Sequence, residues 1–409
     1  MEEIEKANGK VLEIMNTGRA ELVDFAPAGR VIEGMHENTV LHAGPPISYE
    51  NMIEPMRAAI QGALVFEGKA STLEEADRLL RKNEFELVPC HEMHAVGPMA
   101  GVTTYNMYVA VVKNSAYGNS AFCNLHEGRG KVLRFGATGK DVIDRLRWMN
   151  EVLGPTLSEL VRHHPVDLKS IVAEGVQMGD ELHQRFRASS LLFLSRIADE
   201  LLELEHGAEV FKFINEREQF FLNLSMPAMK ALADAADGVK YSSIVTRMTR
   251  NGVDFGIQVS GLKGMWFTGP AEIPAGLYFP GFSTSDAARD FGDSAIMETM
   301  GLGGLSSAAS PAVTRFVGGS VTDAFRITDE AYKICAGKSS TFLIPYLNFS
   351  GSPLGIDIVL VNETGILPTI NTGIAHKRAG IGQIGGGISH PPLECFQEAL
   401  RAFAREYGI

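Results

Sequence analysis

The chain has 409 residues, 45% hydrophobic and 21% charged, the profile of a globular protein with core enough for two or three domains. Its net charge of −12, with no basic stripe, excludes a nucleic-acid binder. No apolar run approaches the ~18 residues of a membrane helix, so no membrane role is expected.

Residues 2–17 predict an amphipathic helix with Ile4, Val11, Leu12 and Met15 on one face. Its first residues, MEEIEKANGK, are acidic and polar rather than a signal peptide. Leu22–Ala26 and Val40–Ala43 read as strands, the second running into Gly44-Pro45-Pro46. The helix that follows carries Met52, Ile53, Met56, Ile60 and Leu64, and this strand–loop–helix could aim free amides at an anion. Ser71 with Glu74 predicts a capping box. Strands are expected at 85–89, 108–112 and 132–135.

From about Lys140 to Glu218 the apolar spacing becomes helical. Beyond Phe220 the elements mix again. Asn251-Gly252 lies between alternating runs and predicts a hairpin with both residues at positive φ. Glycines concentrate between Gly292 and Gly319 and between Gly373 and Gly387, and an apolar helix is expected through Leu305, Ala308, Ala312 and Phe316. Asp323–Ala336 predicts another helix, 356–361 and 367–370 predict strands, and Pro391-Pro392 open the final helix. The resulting fold class is multidomain α+β, two mixed α/β domains with a helical middle domain. The divisions are an N-terminal α/β domain at 1–138, a helical domain at 139–218 and a C-terminal α+β domain at 219–409.

Four constellations could carry chemistry. In Pro89–Gly101, His91 and His94 could bind an anion or move a proton, Cys90 could be a histidine-activated nucleophile, or Cys90, His91 and His94 could hold a metal. In Asn371–Gly387, His376, Lys377 and Arg378 lie within a glycine run, the mixture of amides and cations that carboxylate or phosphate recognition uses. Asn124–Lys131 is a polar loop. Gly292-Asp293-Ser294 with Glu298 is read as close packing by small residues, and His183 and His206 as structural. The four cysteines, Cys90, Cys123, Cys335 and Cys395, form no CxxC pair, which fits a reducing, cytoplasmic location.

The segments LHAGPPI (41–47), PCHEMHAVGPMAGV (89–102), YGNSAFCNLHEGRGKVLRFGA (117–137), FFLNLSM (220–226), RNGVDFGIQVSGL (250–262), GDSAIMETMGLGG (292–304) and ETGILPTINTGIAHKRAGIGQIGGGI (363–388) resemble the AllG (YlbE-like) family. The resemblance implies a subunit of oxamate carbamoyltransferase, which interconverts oxalurate plus phosphate with oxamate plus carbamoyl phosphate in anaerobic allantoin (purine) degradation. It also implies FdrA-like and AllH-like partner subunits, and it is compatible with a homo-oligomer. The Ser-x-Arg-Thr and His-x-Leu-Pro segments of ordinary carbamoyltransferases are absent.

Chemistry then assigns the site. His91 and His376 are the expected catalytic residues. His42, His94, Asn124, His126, Asn371, Lys377, Arg378 and Gly382 are expected to bind a small anionic substrate (carbamoyl phosphate, oxamate or oxalurate), with no metal or cofactor. This requires the turn near residue 91 and the stretch near residue 376 to meet at one cavity. The rivals are a scaffolding or regulatory subunit, and a metal-dependent amidohydrolase built on Cys90, His91, His94 and His126.

Overall fold

The computed structural model describes residues 2–125 and 128–408. Glu2–Thr17 is helical as its periodicity requires and buries Ile4, Val11, Ile14 and Met15. A five-stranded sheet follows. Strand Ala20–Pro27 pairs antiparallel with Tyr108–Asn114 and with Val166–Asp167, Tyr108–Asn114 pairs antiparallel with Ser120–Asn124, and Ala95–Val96 adds itself parallel to Ser120–Asn124. Beside it, Thr39–His42 and Glu86–Pro89 form a parallel pair. Parallel neighbours need a crossover, here supplied by helices Glu54–Phe66 and Leu73–Arg81. The cap of the second helix is shifted by one residue from expectation: the Thr72 side chain accepts from the Glu75 amide, and Glu75 accepts from the Ser71 amide.

Helices dominate 140–215 as expected, including Lys140–Trp148, Gly154–His163, Leu168–Gln177, Arg187–Leu202 and Gly207–Asn215, broken by strand Val166–Asp167 and the turn before Arg187. Their apolar faces join the same continuous core as the first sheet. Through that core runs helix Leu222–Ala235, with every side chain from Leu222 to Ala233 buried. A helix covered on all sides ordinarily carries only apolar residues. This one also carries Asn223, Ser225 and Lys230.

A second core gathers Val245, Met248, Phe255, Ile257 and Val259 with Ile356, Ile358, Val361, Phe396 and Phe403. Here Val245–Asn251 and Asp254–Val259 form the predicted hairpin. Its turn residues are Gly252 and Val253, with only Gly252 at positive φ (+82°), while the Asn251 side chain accepts from the Val253 and Asp254 amides. Asparagine's short acceptor closes the turn from outside, so it need not enter the left-handed region. Leu393–Tyr407 packs across this sheet and ends at Gly408 in the left-handed conformation.

Several expected elements differ. Residues 133–135 form a 3₁₀ turn, not a strand. The strand expected at 356–361 ends at Ile356, because the Asp357 side chain caps helix Ile358–Thr364 through the Val359 amide. The strand expected at 367–370 begins at Ile370 and runs to Ala375. The helix expected through 305–316 is two pieces, Gly303–Ala309 and Pro311–Phe316, separated at Ser310 before proline. Together these changes make most of the glycine run a buried hairpin, Ile370–Ala375 with Gln383–Ser389, flanked by Ala275–Tyr278. A Cβ on Gly386 would lie 2.2 Å from the Phe316 ring, and one on Gly276 2.1 Å from the Gly386 carbonyl. Close packing, not ligand contact, explains these glycines.

Candidate functional site

The parallel pair ends at His42 and at Pro89-Cys90-His91, side by side through the His42–Pro89 register. The other parallel pair ends at Val96-Gly97 beside Cys123-Asn124. Crevices at the carboxyl ends of parallel strands are where open sheets place their sites. One side chain ties these ends together. Asp293 accepts from the Gly44 amide (3.0 Å), the Gly97 amide (2.9 Å) and the Thr249 hydroxyl, and its own amide donates to the Gly97 carbonyl at 3.0 Å. Gly44 has φ +93°, and a Cβ there would lie 2.3 Å from that of Asn251, so only glycine brings this amide to the carboxylate.

Burial pushes the Asp293 carboxyl up to about 6, although hydrogen bonds from Thr249, Gly44 and Gly97 pull it back. The unfolded chain releases this proton near 3.8, so between these values the folded state binds more protons. Asp293's stabilising contribution is therefore complete at the acid end and is lost as pH rises through about 6, a change of about 3 kcal/mol. Urea melts across this window are expected to show that slope in the native chain and to lack it in Asp293→Asn; parallel profiles would refute it.

His91 is fully buried, with neither ring nitrogen hydrogen-bonded within the protein. Burial, then the Lys230 and Arg247 cations, hold it far below the ordinary histidine range, so it is a neutral ring at physiological pH. Its 3.7 Å approach to Asp293 is therefore neither an ion pair nor a hydrogen bond. His42 is held near 4 by burial; its Nδ1 donates to the Ala43 carbonyl, leaving Nε2 a buried unpaired acceptor. Cys90 donates to the Gly101 carbonyl, and burial with Asp293 raises its thiol well above the usual range, the opposite of an activated nucleophile.

Beneath His91, the buried Lys230 ammonium contacts Asp234 and the His91 carbonyl. Arg247 bridges Asp234 and Asp237 at 3.3 and 3.2 Å. Burial and the Arg247 charge bring Lys230 down to about 8. Burial alone would raise Asp234, but Lys230, His94 and Arg247 hold it far below the carboxylate range.

The residue after Asp293 opens a second cluster. The Ser294 hydroxyl lies 2.9 Å from His183 Nε2, and His183 Nδ1 lies 2.7 and 2.8 Å from the two Glu298 oxygens. A carboxylate can only accept, so Nδ1 carries the hydrogen and Nε2 accepts from Ser294. Glu298 is fixed further by the Gly304 amide (2.9 Å) and the Asn371 amide (3.1 Å), and a Cβ on Gly303 would fall 2.0 Å from it. His183 lies in a turn, not a helix, just after Leu182, whose φ of +66° is costly for a branched side chain. All three members are buried. Gln184 lines a cleft of about 350 Å³ with Arg129, Arg185, Arg187, Gln219 and Phe316. The arrangement of hydroxyl, imidazole and carboxylate is that of an activated nucleophile or a proton relay.

Comparison with known proteins places this geometry in a lineage. A family model described as oxamate carbamoyltransferase subunit AllG matches residues 85–294. The chain is 47% identical to the oxamate carbamoyltransferase subunit AllG of Escherichia coli (strain K12), covering 99% of both. This chain belongs to the AllG family. The uncharacterized protein YahG of the same bacterium is 44% identical, covering 100% of this chain and 88% of its own length. A crystal structure of a conserved protein of unknown function from Enterococcus faecalis V583 superposes with a TM-score of 0.96 at 46% identity, covering 98% of each chain. The two Escherichia relatives match almost equally, so identity establishes the AllG family and leaves the acceptor to chemistry.

Within this chain of the AllG family the expected residues fall into four groups. His42, His91 and Asn124 gather at the strand ends, Asn124 donating to the Val102 carbonyl and Thr103 hydroxyl with its Oδ1 unpaired. Asn371 belongs to the His183 cluster, reaching Glu181 at 3.1 Å. His94 is exposed and bonds Asp234 at 2.8 Å. His376, Lys377, Arg378 and Gly382 form the hairpin loop. His376 Nδ1 accepts from the Arg378 amide, Lys377 Nζ donates to the Ser285 carbonyl, and Gly382, at φ +103°, passes close to the Arg129 carbonyl. Lys377 and Arg378 line a cleft of about 700 Å³ with Glu54 and Asp254. Among the described residues, His91 and His376 share no hydrogen-bond or ring partner. His126 lies outside the described residues. Cys90 bonds Gly101, His94 bonds Asp234 and the His91 ring bonds neither, and no group of described residues is arranged to hold a metal ion. No helix among them is long and apolar enough to cross a membrane.

The residues that sequence reasoning passed over are His183, Ser294, Glu298 and Asn223, whose two amide atoms are buried and unpaired. The available signal was Asp293 and Glu298, two acids inside an apolar, glycine-rich segment that a packing role does not require.

Proposed function

We propose that this chain is a subunit of an oxamate carbamoyltransferase and carries part of its chemistry, working with FdrA-like and AllH-like subunits in the breakdown of allantoin. The assembled enzyme interconverts oxalurate plus phosphate with oxamate plus carbamoyl phosphate. Family membership supports the assignment, and the Ser294–His183–Glu298 relay is the observation that carries a catalytic role rather than a scaffolding one. An amide nitrogen is a weak nucleophile, so transfer needs a base for its proton and donors for the carbonyl oxygen as charge develops. In this reading His183, oriented by Glu298, handles the proton through Ser294. His91, neutral and with unpaired nitrogens, supplies an N–H donor to the carbonyl oxygen. Anionic groups are held by cations, either His376 and Lys377 in the hairpin loop or the arginines beside Gln184; the position of Gln184 next to His183 favours the second.

The test is oxalurate phosphorolysis by the reconstituted complex. His91→Ala is expected to lower turnover about a hundredfold, as for loss of a single transition-state donor. If His91→Ala retains the wild-type rate, that assignment is wrong, and if Lys377→Ala loses activity, the anion is held by the hairpin loop instead.

A further inference from the structure

We infer that Ser294 is a nucleophile that accepts the carbamoyl group, so that transfer proceeds through a carbamoyl-serine enzyme. The inference rests on the proposed carbamoyltransferase reading and adds to it the order of bond changes. Ser294 Oγ donates to His183 Nε2, and Glu298 holds the opposite nitrogen with both oxygens. A base set on the hydroxyl and oriented from behind is the arrangement that makes serine reactive.

The steps balance. Oγ attacks the carbamoyl carbon of carbamoyl phosphate, its proton passes to His183, and the carbon–oxygen bond to phosphate breaks as His183 hands that proton to the departing phosphate, leaving the imidazole neutral. In the second half the oxamate amide nitrogen attacks the same carbon. The carbon–Oγ bond breaks as His183 takes the amide proton and passes it to Oγ, which restores the Ser294 hydroxyl. Nothing is oxidised or reduced.

Four considerations favour this route over direct transfer. Phosphate and oxamate are both anions, and a shuttle lets one leave before the other arrives, avoiding two like charges in one buried space. Ser294, His183 and Glu298 are all nearly inaccessible to solvent, which protects a serine ester of carbamic acid from hydrolysis. The competing nucleophiles are occupied: Cys90 and Cys123 are held as thiols by burial, and the Lys230 ammonium is bound to Asp234. The cleft beside Gln184, lined by Arg129, by Arg185 paired with Asp180 and by Arg187 paired with Glu218, is of a size to admit a small anion.

The experiment uses the reconstituted complex with carbamoyl phosphate and no oxamate. The Ser294 peptide is expected to gain the mass of one carbamoyl group, and labelled inorganic phosphate to exchange into carbamoyl phosphate. A chase with oxamate should remove the mass and release oxalurate, which distinguishes the intermediate from stray carbamoylation by cyanate. Ser294→Ala should abolish both signals; Ser294→Cys, which keeps a nucleophile, should carry the added mass at position 294. A complex that turns over oxalurate but shows neither exchange nor added mass without oxamate overturns the covalent route while leaving the carbamoyltransferase reading intact. A correctly assembled complex that turns over no oxalurate overturns both.

Discussion

His183→Gln is expected to slow oxalurate phosphorolysis by the reconstituted complex about a thousandfold, with little change in melting temperature. Glutamine keeps much of the size and hydrogen-bonding capacity of the ring, so the contacts to Ser294 and Glu298 can be approximated. It cannot take up a proton at neutral pH, and that capacity is what the relay supplies. Glu298→Gln removes only the orienting carboxylate and should cost less, although its bonds from the Gly304 and Asn371 amides add a structural penalty. The informative measurement is kcat and KM separately, alongside thermal unfolding. A fall in kcat at unchanged stability identifies chemistry; a variant within tenfold of wild-type turnover would reduce the His183 cluster to a structural network.

Arg250→Met should lower folding stability by about 3–5 kcal/mol, the cost of stranding a buried charge. Arg250 is fully buried, and its guanidinium binds both Asp290 oxygens (2.9 and 3.1 Å), the Gly292 carbonyl (2.8 Å) and Thr372. Methionine fills similar volume but leaves Asp290 with only the Thr372 and Ser389 hydroxyls. The damage would not be confined to stability. Gly292 precedes Asp293-Ser294, and Thr372 follows Asn371, so Arg250 links the two backbone segments that position the relay. Urea denaturation measures the first effect and turnover well below the transition the second. A loss under about 1 kcal/mol would show that the pair is not sustaining the junction.

Much of the architecture was legible from local pattern. The helix at 2–17, the helical stretch from 140, the hairpin around 245–259 and the proline-opened final helix all appeared where periodicity and turn chemistry put them, because their apolar spacing matches one element type. The errors concentrate where a single residue redirects the backbone. Asp357 converts an apolar run that suits a strand into a capped helix, and Ser310 before proline breaks another helix in two. Propensity averaged over a window does not register a single cap.

Composition, patterning and motif order were enough to assign the fold class and the lineage, since each depends on residues close together in the chain. The relay was not readable in this way. Ser294 and Glu298 are near neighbours, but the histidine between them is 111 and 115 positions away in the chain, and Asn371 is a further 73 beyond Glu298. Taken one at a time, such residues are indistinguishable from structural ones; their chemistry arises from mutual distance and from exclusion of water, and both are properties of the packed chain.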